Sequence, residues 1–100
     1  MKLIGLMSLA EDKEVIHQIF ERHGLEIFSE TAINGHTIST IEKFGWFASR
    51  GDAPYYSTLC FAIIADDRAR LIMDAIERLS RENPSDHPIR AFLVPVERMI

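Results

Sequence analysis

One hundred residues with a formal net charge of −4, 47% apolar and 26% charged side chains, describe a chain that can build one hydrophobic core and is too short for two. No apolar run approaches the roughly 18 residues needed to cross a bilayer, and the acidic balance, with no Lys/Arg cluster, argues against binding to nucleic-acid phosphates. A lone cysteine, Cys60, and the lack of a basic, apolar leader in the opening residues fit a single cytoplasmic domain over residues 1–100, without membrane insertion.

Lys2 to Leu9 is a short apolar run read as a strand. The segment after it carries Val15, Ile16, Ile19 and Phe20 at the spacing of one helix face. Gly24 ends that helix, because glycine takes the left-handed C-terminal position without a Cβ clash. His17 falls on the face opposite the apolar stripe, and His23, at the C-terminal end, suits the helix dipole. Leu25 to Ile33 reads as a second strand with imperfect alternation, and Asn34-Gly35 opens a loop over about residues 34–55.

Tyr56 to Ala65 is the strongest strand, apolar on both faces and containing Cys60 as a core residue. Asp66 or Asp67 is expected to cap a second helix that buries Leu71, Ile72, Ala75, Ile76 and Leu79 and stops at Asn83-Pro84. Ile89 to Ile100 supplies a last strand, whose Pro95 restricts it to a sheet edge.

The order βαββαβ predicts an α+β, ferredoxin-like fold: a four-stranded antiparallel sheet with two helices on one face. The first and third strands are nonetheless apolar on both faces, with Leu3, Met7 and Leu9 opposed to Ile4 and Leu6. So much apolar surface on an uncovered sheet face predicts an oligomer that buries the open faces together.

The stretch IIADDRARLIMDAI (Ile63 to Ile76), the opening MKLI, the HGL after the first helix and the closing AFLVPVERMI resemble the PII signal-transduction family over nearly the whole chain outside the central loop. The resemblance implies a homotrimer with its sheets turned inward and a regulatory, non-enzymatic role. It also implies a docking loop between the second and third strands that engages a partner such as a membrane transporter or an enzyme. Residues 34–55 occupy the place of that loop. Loops of about 20 residues without structure of their own are usually functional or disordered. In this loop Phe44, Trp46, Phe47 and Arg50 are the docking candidates. The other reading of the aromatic cluster is that it folds back onto its own subunit or a neighbour.

By the same resemblance the ligand site lies between subunits. Arg90 and Arg98 then fall on the family's basic positions and Gly35 on the first glycine of its loop. Ser80 to Ile89, in the place of the family's glycine-rich turn, holds Pro84 and Pro88 and no glycine, so the backbone N–H nest that wraps phosphates is incomplete. An adenine nucleotide or another anion, bound atypically, is the ligand class implied. Arg90 and Arg98 read without the resemblance are ordinary surface charge on an edge strand.

No two of the four histidines stand at an i, i+4 spacing and no C-x-x-C is present. His36, at the base of the loop, is the one metal-ligand candidate, and a trimeric metal-binding protein of similar architecture is the alternative function. No nucleophile with a neighbouring base is legible, so no catalytic residue is expected.

Overall fold

The computed structural model describes residues 1–35 and 56–100. Chain order is β1 (Lys2–Ser8), a 3-10 turn (Ala10–Asp12), α1 (Lys13–Arg22), β2 (Ser29–Ala32), β3 (Thr58–Ile64), α2 (Asp66–Glu82) and β4 (Arg90–Pro95). The strands form one antiparallel sheet in the order β2-β3-β1-β4, the ferredoxin-like arrangement expected from the sequence. β4 is an edge strand, where the missing N–H of Pro95 is tolerated.

Strand alternation divides the sheet. On the helix side Ile4 and Leu6 of β1 and Cys60, Ala62 and Ile64 of β3 join Ile16, Ile19 and Phe20 of α1 and Ala69, Ile72 and Ile76 of α2 in one buried core. The register puts Leu3 between Ile63 and Val94 on the other side, Gly5 between Phe61 and Phe92, and Met7 between Leu59 and Arg90. A Cβ on Gly5 would overlap the Phe92 ring, which crosses from β4 over the space a side chain would fill. The result is an apolar sheet face on which Ile63 and Val94 are 41% and 42% exposed.

Several boundaries and facings differ from the sequence reading. The second strand does not span Leu25 to Ile33. Leu25 turns into the core after Gly24, Ile27 is 86% exposed, and ladder pairing begins only at Ser29. On α2 the buried positions are Ala69, Ile72 and Ile76, spaced by three and four. Leu71, one residue off that stripe and so about 100° around the helix, is 56% exposed.

Neither aspartate supplies a side-chain cap to α2. Ala65 is the N-cap, Asp66 pairs with the Met1 α-ammonium, and Asp67 Oδ1 accepts from the Arg68 N–H at 2.9 Å. Both carboxylates sit in the first turn, where the helix dipole favours negative charge.

Gly24 behaves as its position predicts, with φ at +73° beyond the end of α1. Arg68 of α2 donates to its carbonyl at 3.2 Å, joining the two helices at that point. Gly24→Ala is expected to cost about 1–2 kcal/mol in urea unfolding, and an unchanged midpoint would contradict the assigned conformation.

Candidate functional site

β2 and β3 remain joined beyond their ladder. Ile33 N–H donates to Ser57 at 2.9 Å and Gly35 N–H to Tyr56 at 3.2 Å, so the chain leaves the sheet and returns to it at one place. Ser57 N–H donates to Ser8 at 3.0 Å and ties this base to the end of β1. Tyr56 is buried, and its hydroxyl donates to the Pro88 carbonyl of the segment leading into β4. The Arg90 guanidinium lies beside the same phenol, whose pKa is raised by burial against the opposing pull of that cation. Tyr56 thus links Gly35 to Arg90, two of the three residues read as ligand-binding.

Arg98 is placed differently. Arg90 opens β4, Pro95 lies five strand positions on, roughly 17 Å away, and Arg98 lies beyond the far end of the strand. The two arginines therefore do not meet within one subunit.

A cleft of about 380 Å³ adjoins the Tyr56–Pro88 contact, lined by Asp12, Val15, Leu79, Asn83, His87 and Ile89 among others. Burial, with a smaller effect from Glu11, raises the Asp12 pKa. His87 Nε2, in the same wall, and Ser8 Oγ, at the end of β1, are buried without a hydrogen-bond partner among the described residues.

A second polar cluster lies at the β2 edge, under α1. The β2–β3 register sets Glu30 opposite Cys60, both on the helix side of the sheet. Glu30 Oε1 stands 2.7 Å from His17 Nε2 and 3.3 Å from Cys60 Sγ, while Oε2 is 3.3 Å from Lys13 Nζ. An ionised carboxylate only accepts, so imidazole, thiol and ammonium all donate to it. Hydrogen bonding from His17, then from Cys60 and Lys13, lowers the Glu30 pKa against a smaller cost of desolvation. The Cys60 thiol is pushed up to about 12 by burial and by the adjacent carboxylate.

His17 is consequently not turned away from the structure. Its ring packs 5.1 Å from Phe28, which in turn meets Phe20 edge-on at 4.9 Å, and so it closes the gap between α1 and β2. Cys60 is buried as expected, with a carboxylate partner that no local spacing announces. His36, Phe44, Trp46, Phe47 and Arg50, read as metal-binding and docking residues, lie outside the described residues.

The sequence matches no family model and no curated protein. Solved structures do share its fold. CPII from Thiomonas intermedia K12, a nitrogen regulatory PII-like protein, superposes in its apo form with a TM-score of 0.66 at 9% identity, over 93% of this chain and 85% of that one. The same protein bound to ADP, AMP and bicarbonate gives 0.62 at 14% identity, over 99% and 94%. A PII-like signaling protein from Thermus thermophilus gives 0.65 at 13% identity, over 93% and 82%. The likeness is one of fold, and it is the fold that the sequence resemblance implies.

The lowered Glu30 pKa has a signed consequence for stability. Its contribution is complete above the ordinary value of 4.5 and is lost as the pH falls through the lower folded-state value. The melting-temperature gap between the native chain and Glu30→Gln should be widest near neutrality and should close on acidification below about pH 4.5. A gap constant down to pH 3 would contradict the cluster.

Proposed function

We propose that this chain is a PII-like regulatory protein, a homotrimer that senses a small anionic ligand at its subunit boundaries and acts on a partner protein through its central loop. One observation carries the reading: Gly35, at the base of the loop, and Arg90, on the apolar sheet face, are joined through Tyr56. A ligand held by Arg90 would therefore bear on both the loop and the face that a neighbouring subunit covers. The fold shared with PII-like proteins, one of them a complex with ADP, AMP and bicarbonate, supports the same assignment.

Arg90 and Arg98 take part from different subunits in this account, since Arg90 opens β4 and Arg98 lies beyond its far end. Each would supply charge-assisted hydrogen bonds, and a guanidinium fork suits two oxygens of a phosphate or carboxylate. The segment between α2 and β4 holds Pro84 and Pro88 and no glycine, so backbone N–H groups contribute little and the arginines carry most of the binding. The docking side is Phe44, Trp46, Phe47 and Arg50, and a transporter or an enzyme is the class of partner. The alternative metal-binding reading through His36 has no observation in its favour.

Thermal unfolding with ADP, AMP and bicarbonate tests the site. At about 100 times Kd a ligand should raise the melting temperature by on the order of 10 °C. Arg90→Ala and Arg98→Ala should each remove that rise. Absence of any rise with all three ligands, or a rise unchanged in both variants, would contradict the proposal.

A further inference from the structure

We propose that His17, Glu30 and Cys60 form a binding site for a borderline divalent cation such as Zn²⁺, with three protein ligands and one coordination position open to solvent.

The three side chains come from α1, β2 and β3, and their donor atoms, an imidazole nitrogen, a carboxylate oxygen and a sulfur, all lie within 4.8 Å of one another. A tetrahedral zinc ion with ordinary bond lengths separates such donors by about 3.3 to 3.7 Å. Closing the cluster onto an ion therefore takes a contraction of at most about 1.5 Å at its widest edge, with the closest pair, His17 and Glu30, moving apart. Access is graded in the right direction. Cys60 is fully buried at the floor, while the side chains of Glu30 and His17 are 29% and 33% exposed at the mouth.

Lys13 completes the arrangement without competing for the ion. Its ammonium is on Oε2, whereas Oε1 is the oxygen that faces both His17 and Cys60. It thus orients the carboxylate for one-oxygen coordination, as groups behind a metal ligand commonly do. A mixed sulfur, nitrogen and oxygen set suits zinc or cobalt rather than calcium or magnesium, which take oxygen ligands.

A nucleophilic or redox role for Cys60 fits less well. Such roles need a thiolate in an electropositive setting, and this sulfur is buried against a carboxylate. A divalent ion reverses that situation. As the metal bonds form, the thiol proton leaves to solvent and His17, which gives its Nε2–H to Glu30 in the ion-free structure, takes the neutral tautomer with its proton on Nδ1 so that the Nε2 lone pair faces the ion. The thiolate and carboxylate together neutralise the ion's two charges. Three elements contribute one ligand each, which is why no paired spacing in the sequence marks the site.

The cluster lies on the helix side of the sheet and Arg90 on the other, so the test uses metal alone. The full chain, stripped with a chelator, is titrated with Co²⁺. One ion per chain should bind, with a sulfur-to-cobalt charge-transfer band in the near ultraviolet that Zn²⁺ then displaces. Cys60→Ser should abolish the band. His17→Gln, on a partly exposed helical position that leaves the core intact, should weaken binding at least tenfold and serves where the cysteine variant fails to fold. Absence of the band in the native chain, its survival in Cys60→Ser, or unchanged affinity in His17→Gln would overturn the proposal. So would loss of the band in His36→Ala with retention in His17→Gln, which would move the site to the loop.

Discussion

The structure turns on a sheet that has two apolar faces and helices for only one of them. Ile4, Leu6, Cys60, Ala62 and Ile64 are covered by α1 and α2. Leu3, Phe61, Ile63, Phe92 and Val94, on the alternate positions of the same strands, have no covering element among the described residues. At about 25 cal/mol per Å² of apolar surface removed from water, leaving such a face solvated forfeits a large share of what the strands can contribute. Gly5 sharpens the point, since the absence of a side chain there lets the Phe92 ring lie across β1 on that same face.

The position of Arg90 follows from this geometry. It shares a row with Met7 and Leu59, so it belongs to the open face, and through Tyr56 it also belongs to the base of the loop. In the proposed trimer, a ligand that engages Arg90 would act where a subunit contact and the loop base coincide. On that proposal a small molecule would bias a surface some distance from it, because the two share one tyrosine. The His17–Glu30–Cys60 cluster lies on the helix side of the sheet, so the two sites are separated by the sheet itself.

Much of this was legible from residue order. Strand and helix periods gave the element order, Gly24 took the left-handed conformation and Pro95 the edge-strand place their chemistry requires, and the two-sided apolarity of β1 and β3 was plain from alternation alone. Facing on α2 was less so: Leu71 is as apolar as Ile72, and only the line through Ala69, Ile72 and Ile76 decides which is buried. Asp66 and Asp67 look like caps in sequence, yet the helix begins one residue earlier and the Met1 α-ammonium takes Asp66. The cluster around Glu30 could not be read at all, since it depends on strand register, which sets Glu30 opposite Cys60, and on how α1 lies over that pair. Arg90 and Arg98 were read as sharing one strand to Ile100, but β4 ends at Pro95 and leaves Arg98 beyond it, so their separation only becomes plain once the strand's ends are placed.

The central claim is that the open face is buried by copies of the same chain, and molar mass in solution tests it most directly. Light scattering at micromolar concentration should give three times 11.4 kDa, and Phe61→Asp, a charge at the middle of the face, should reduce it to the monomer value. A monodisperse monomer of the native chain would contradict the account, and so would a trimer left intact by Phe61→Asp, since either result would mean that the face is covered in some other way.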